Sequence, residues 1–545
     1  MVAVALSCGW VTAAHDAPAQ GHKAPAAHGK KPHPKPESKP PKRPPATAPT
    51  VRMPVARAPA DAADLQAPTA APLDLRAEVI TLNNDLRVVL SPDHRLPSLA
   101  VAVAYGAGSG REAVGQQGIA RVVAAAMSAG PSRDLGAGEL QRLVRSEGGS
   151  TSALVDREVT LFVDVLPAGA LAFGLWLEAS RMNLVDINES TLTTSPGIAP
   201  PPAQSMAEAR ARLEELAFQG FWPYEHRDRV AFTDRAKAVS AARDFHRAWY
   251  TPANTVVAIA GNFDPDEAIR LAHDMFDGAI GNQPPVSDAT AALPDQTSER
   301  SARIDVGPAD AQGLIEGWTA PALGQEGHAA LAVAAVLLND RLDLGQQTHA
   351  DRLRQLSPGT KVDVEMGTRL GHALWTVSLT VPPGVDLDKE RAVVDNAIDE
   401  LGRLGPTPDE LRAAWADAEL DFLQGVDSLG ERAAALARAE ANRGDLRLLR
   451  NMPVALLHVT RDDVRKAVAR TLTPARRNLV ELAGPKAPPP AHAAVAPVTP
   501  PAPEPRAARN GHGKHTAKPA KKKTGSPPAA KKKEGKPAQH GGKRP

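Results

Sequence analysis

Apolar residues recur at helical spacing over residues 171–182 and 206–218, and the stretch 159–165 has strand-like content after the Gly148-Gly149 turn. Ahead of these, Leu99-Ala100-Val101-Ala102-Val103 alternates with the period of a strand. The same succession returns later in the chain. Residues 314–318 and 373–381 read as strands, 329–338 as an apolar helix, and 387–404 and 408–424 as amphipathic helices. Thr407 and Thr460 suit helix starts, because a hydroxyl oxygen can accept from a free amide and acids then fill the first turn. The pattern predicts two structured blocks, 72–281 and 299–484, each alternating short strands with longer helices. A polar, proline-bearing linker at 282–298 joins them.

Composition separates these blocks from the ends of the chain. The 545 residues are too many for one ordinary core. The 51 prolines crowd into residues 18–71, a Pro/Ala/Lys/His-rich linker, and residues 485–545, a Pro/Ala/Lys-rich tail. Neither has the apolar periodicity that offsets the entropy of ordering, so both are expected to be disordered. The net charge of +2 therefore hides a near-neutral or acidic middle between basic ends. Lys521-Lys522-Lys523 and Lys531-Lys532-Lys533 make a polycation suited to anionic polymers of the cell envelope through counterion release. The tail has no aromatic residue on which bases could stack, so no specific nucleic-acid partner is expected. Residues 1–17 resemble the apolar region and small-residue cleavage site of a secretion signal with no basic residue ahead of it, as in a truncated signal peptide. Cys8 is the only cysteine, which excludes an intramolecular disulfide and leaves open a lipoprotein-type cleavage at Leu6-Ser7-Cys8-Gly9. No later apolar run is long enough to span a bilayer.

Ordered landmarks run through both blocks. They include Leu82-Asn83-Asn84-Asp85-Leu86-Arg87-Val88-Val89-Leu90, Pro97, and Gly108-Ser109-Gly110-Arg111-Glu112 just before the helical run Gly118 to Met127. The most specific is Phe245-His246-Arg247-Ala248-Trp249-Tyr250-Thr251-Pro252-Ala253-Asn254, followed by Gly261-Asn262-Phe263-Asp264-Pro265. From about Leu75 to Leu482 the chain resembles the insulinase/pitrilysin family of zinc metallopeptidases, which includes mitochondrial processing peptidase. The resemblance implies an α+β fold of two related domains, each a mixed sheet faced by helices. It also implies a zinc helix carrying H-x-x-E-H, whose three functional positions fall on one helical face. Here those positions are Arg121, Ala124 and Ala125. Alanine has no lone pair for a metal, and a guanidinium opposes a dication. The family's third ligand, a glutamate, should fall within residues 195–202, where Pro201 stands in a proline run without a carboxylate. Zinc is therefore expected to be absent, with no catalytic residue in the chain.

Other residues offer little rescue. His94, His226, His246 and His273 in the first block and His328, His349, His372 and His458 in the second form no metal-binding spacing, and each is expected to be a surface or satisfied core histidine. Glu112, Glu139 and Glu147 read as solvated or capping charges. By the same resemblance, Arg354 occupies the position of a substrate-gripping arginine, while Lys361 stands where a tyrosine is usual. The leading expectation is a catalytically silent chain, exported to the periplasm or envelope of a Gram-negative bacterium. There it would pair with an active insulinase-like homologue and help enclose unfolded peptide segments. The alternatives are an envelope scaffold acting through its basic tail, and a peptidase with non-standard metal ligands.

Overall fold

The computed structural model describes residues 71–484, apart from 131, 133–134, 184, 194–203, 228–233, 286–291, 308–311, 343–355 and 370. The first half contributes strands β1 (Glu78–Thr81), β2 (Arg87–Pro92), β3 (Ser98–Tyr105), β4 (Ser150–Val155), β5 (Thr160–Pro167) and β6 (Thr255–Gly261). Its helices are α1 (Ile119–Ala129), α2 (Glu139–Ser146), α3 (Leu171–Asn183), α4 (Glu189–Thr193), α5 (Met206–Ala217), α6 (Trp222–Glu225), α7 (Arg235–Trp249) and α8 (Pro265–Phe276). The second half adds strands β7 (Arg300–Asp305), β8 (Gln312–Ala320), β9 (Lys361–Met366), β10 (Ala373–Val381) and β11 (Asn478–Ala483). Helices α9 (His328–Leu342), α10 (Leu387–Leu404), α11 (Pro408–Gln424), α12 (Leu429–Arg443), α13 (Arg447–Leu457) and α14 (Arg461–Thr471) complete it.

Two mixed sheets result, ordered β1-β2-β6-β3-β5-β4 and β7-β11-β8-β10-β9. Their pairing patterns repeat. In the first, β2 and β6 are parallel and the pairs β6–β3, β3–β5 and β5–β4 antiparallel. In the second, β7 and β11 are parallel and β11–β8, β8–β10 and β10–β9 antiparallel. The α+β architecture with a duplicated sheet plan thus holds. Thr407 and Thr460 both close capping boxes, as their sequence context predicts. The landmark Leu82 to Leu90 spans the turn at 82–86 and most of β2, and the strand paired with β2 lies upstream of it at 78–81. Asp85 takes a left-handed conformation there, and the Asn84 side chain accepts from the Leu86 amide, which tightens the reversal.

The alternation in β3 decides how the first sheet is covered. Leu99, Val101, Val103 and Tyr105 face a core shared with α1, α3, α7 and α8. Ala100, Ala102 and Ala104 face the other way, beside Val256, Ala258 and Ala260 of β6. These small residues let α12 lie close against the sheet through Leu429, Ala433, Leu436 and Ala437. The second sheet returns the exchange: Ala209, Leu213 and Ala217 of α5 pack on Ile315, Val480 and Leu482 of β8 and β11. A Cβ at Gly317 would lie 2.9 Å from Leu213 Cδ2, so the absence of a side chain permits this approach. Each sheet is therefore covered on one face by a helix from the opposite half of the chain. Leu73 and Leu75 are tied to α13 as well, where the Leu73 amide donates to the Arg450 carbonyl at 2.9 Å.

Candidate functional site

Helix α1 begins at Gly118, which adopts a left-handed conformation and has no side chain to cap the helix. Glu112 performs that task from six residues upstream. Its Oε2 accepts from the Gly118 amide at 2.7 Å and its Oε1 from the Ala120 amide at 2.9 Å. A carboxylate at this end satisfies free amides and complements the helix dipole. Glu112 is buried, so of the two roles open to it in sequence it is a cap and is not solvated. The loop is pinned further: Trp222 Nε1 donates to the Glu112 carbonyl at 2.6 Å, and the Trp222 ring stacks on His226. His226 Nε2 lies 3.3 Å from Glu112 Oε2. Glu139 begins α2 and accepts from the Gly136 amide, whereas Glu147 is exposed at the end of α2.

This anchoring holds in place a face without metal chemistry. Ala124 is buried, while Arg121 and Ala125 are half-buried, all on α1. Two methyl groups and a guanidinium supply no electron pair to a dication, so these residues do not fit zinc. Among the described residues, no three His, Cys, Asp or Glu side chains come together in a way that could hold a metal ion. Pro201 lies outside the described residues. On either side of it, α4 ends at Thr193 and α5 starts at Met206, with Ser205 Oγ accepting from the Glu208 amide. Arg354 also lies outside the described residues, and Lys361 is the exposed first residue of β9.

Beside α1 runs β4, an outer strand of the first sheet that pairs only with β5 among the described residues. Its free edge offers backbone donors and acceptors of the kind an extended peptide can join. The turn linking β4 to β5 carries Arg157 and Glu158, which fasten the two halves together. Glu158 Oε1 accepts from the Tyr224 hydroxyl and the Gly371 amide, both at 2.5 Å, and Oε2 accepts from Asn442 Nδ2 at 3.0 Å. Burial, reinforced by the Glu158 carboxylate, raises the Tyr224 phenol well above its ordinary pKa, so it remains a donor. Arg157 donates to Glu214 at 3.0 Å, and Arg369 from the second half donates to the same carboxylate at 2.6 Å. Burial alone would raise the pKa of Glu214, but Arg369 and Arg157 outweigh it and hold the carboxyl at about 2. His372 adds its ring edge to Phe221 and Tyr224.

The remaining histidines stay apart. His94 meets Asn262, His273 meets Asp277, and His328 and His458 meet backbone carbonyls. His226 and His246 each leave a buried Nε2 without a hydrogen bond, unlike the satisfied core histidine expected from sequence. His349 lies outside the described residues. A second unanticipated feature is the fully buried set Asp164, Glu178 and Arg181, in which Arg181 pairs with both carboxylates beneath the Phe162 ring. Burial raises the Glu178 pKa strongly, even though Arg181 opposes the shift. Its signal in sequence was the placing of charges within otherwise apolar stretches of β5 and α3.

A family model described as Peptidase M16 inactive domain matches residues 239–416. The zinc protease PqqE of Helicobacter pylori is 24% identical over 377 residues, which cover 66% of this chain and 82% of that protein. Both matches support the likeness to the insulinase/pitrilysin-like peptidases. Its fold is similar to the crystal structure of a protease from Helicobacter pylori, with a TM-score of 0.66 and 19% identity, covering 75% of this chain and 99% of that one. The periplasmic protease PqqL of Escherichia coli gives a TM-score of 0.61 at 15% identity, covering 76% of this chain and 48% of PqqL. The resemblance drawn from the landmarks around α1 and α7 is therefore upheld at the level of family and fold.

Proposed function

We propose that this chain is a catalytically silent insulinase/pitrilysin-like subunit that pairs with an active, zinc-bearing homologue and contributes peptide-binding surface to the shared chamber. The observation that carries the reading is α1 itself. The helix is anchored by a buried Glu112 cap, yet its motif face presents Arg121, Ala124 and Ala125 in place of ligands and base. A framework kept while its chemistry is gone favours binding over turnover. The free edge of β4 beside that helix gives unfolded peptide segments a place to add as a strand. Zinc has no part in the proposed role of this chain.

The proposed location is the periplasm or cell envelope. The signal-like start of the sequence supports it, as does the likeness to a periplasmic protease, and no described helix is long and apolar enough to cross a membrane. Affinity capture of the full chain from its native organism tests the partnership. Recovery of a homologue with an intact H-x-x-E-H motif, in a complex whose mass equals the sum of the two chains, is the expected result. Recovery of envelope polymers alone would favour the second reading, a scaffold acting through Lys521 to Lys523 and Lys531 to Lys533.

A further inference from the structure

A cleft of about 550 Å³ opens where α3 and α7 end and the segment after α8 begins. Its volume is that of a small-molecule site, for which about 300–1,000 Å³ is usual. Neither Arg121, Ala124 nor Ala125 lines it, so it is separate from the α1 face. Val185, Ile187 and Pro252 supply part of an apolar wall. The polar part is more telling. Arg243 and Arg247 stand one turn apart on α7, and both line the cleft. Arg243 Nε donates to the Ile187 carbonyl at 2.8 Å, which fixes the stem of the side chain. Its Nη2 is 3.9 Å from Asp186 Oδ1, beyond hydrogen-bond distance, so the two terminal nitrogens retain donor capacity.

Two further groups in the lining have unmet capacity. Thr251 is buried, and its hydroxyl has no hydrogen-bond partner; the same is true of His246 Nε2. Burial, with Arg247 nearby, lowers the His246 pKa to about 4, so the ring is neutral at physiological pH. Asp186 lies in the lining near Arg243, and Arg247 Nη1 donates to Asp244 Oδ1 at 3.2 Å, so each guanidinium has one carboxylate beside it and spends only part of its donors there. Buried polar groups are normally satisfied, and two guanidinium groups with donors left over from Ile187 and Asp244 match the planar, two-oxygen geometry of a carboxylate. We infer that this cleft binds the carboxylate of a small apolar ligand, of the size of an amino acid or a terminal peptide residue. Arg243 and Arg247 hold the carboxylate, and Thr251 and His246 meet its polar neighbours. The inference is independent of the pairing proposed above.

Calorimetric titration of the full chain with N-acetyl-leucine and with N-acetyl-leucinamide tests it. The acid should bind saturably and the amide at least about tenfold more weakly, since the charge-assisted bonds are lost. Arg243→Gln and Arg247→Gln should each weaken the acid about tenfold, and Thr251→Val about threefold; Arg247 makes no backbone bond of the kind Arg243 makes to Ile187, so Arg247→Gln should do so with melting temperature unchanged. Decapeptides ending in leucine, free or amidated, separate the two sources of the carboxylate. Binding of the free-ended peptide identifies chain termini, and binding of N-acetyl-leucine without the peptide identifies free small acids. Equal affinity for acid and amide, no saturable binding at millimolar concentration, or arginine variants that bind as the parent does would each overturn the inference.

Discussion

Replacing Glu316 by glutamine should remove a pH dependence of stability that the wild-type chain carries. Glu316 lies in β8, fully buried, and neither carboxyl oxygen has a hydrogen-bond partner. Its nearest cation, Arg477, is 3.6 Å away and already committed to Asp395 at 2.9 Å and Glu299 at 2.7 Å. Burial first and the Asp395 charge second push the carboxyl up to about 8, from an ordinary 4.5. For a group whose folded pKa is raised, the folded state holds the proton more tightly. Its contribution is complete below the unfolded pKa and is lost as pH rises through the folded one. Over the full window the loss is about 5 kcal/mol, at 1.36 kcal/mol per unit.

Part of that window is shared with other groups. Burial, helped by Arg247, lowers the His246 pKa to about 4, and burial also lowers that of His328. Both histidines therefore add stability as pH rises toward about 6.5. Between pH 6.5 and 8.5 they are silent, and the buried Glu178, whose pKa is also raised, acts in wild type and variant alike, so Glu316 should cost the wild type about 2 kcal/mol relative to Glu316→Gln. Urea melts at the two pH values, followed by tryptophan emission, measure the difference; Trp318 and Trp375 are buried in the same sheet. If the stability gap between variant and wild type were the same at both pH values, the assignment of a neutral, buried Glu316 would be wrong.

Removing the α1 cap by Glu112→Ala should cost about 1–3 kcal/mol, because two helix amides lose their acceptor in a buried setting, and thermal melting reads the loss. Metal analysis of the purified chain should find no stoichiometric zinc, and Arg121→His with Ala124→Glu and Ala125→His should still give a poor peptidase because no third ligand is supplied; chelator-sensitive hydrolysis by the parent chain would refute this. Deleting residues 1–70 and 487–545 should leave a cooperatively folding core by calorimetry. Extending the first deletion through residue 77 should then lower stability by about 2–3 kcal/mol, since it removes the buried Leu75 and its bonds with Arg450.

Local pattern carried the helices and strands a long way. Residues 387–404 and 408–424 are α10 and α11 to the residue, and 373–381 is β10, because each joins a clear period to a sharp stop at Gly, Pro or an N-cap threonine. The exchange of α12 and α5 between the sheets was not legible. An amphipathic helix reveals that it has an apolar face but not which sheet it covers, and that choice rests on the alanines of β3 and on Gly317. That Arg121, Ala124 and Ala125 offer no metal ligand was legible, because alanine and a guanidinium exclude metal by chemistry alone. The support of α1 was only partly so: Glu112 could be suspected as a cap, but its pairing with Trp222 and His226 joins residues 110 or more positions apart. Arg157, Glu158, Glu214 and Arg369 look like ordinary surface charges in sequence, and only long-range packing makes them the fastening between halves.

In the function proposed above, this chain supplies shape to a reaction performed by another. The most direct measurement is the kcat/KM of an intact-motif homologue toward an unfolded peptide, with and without this chain at saturating concentration. A rise in the partner's kcat/KM is expected, and a smaller rise with Arg354→Ala. Unchanged kcat/KM, together with two proteins that remain separate in solution, would contradict it.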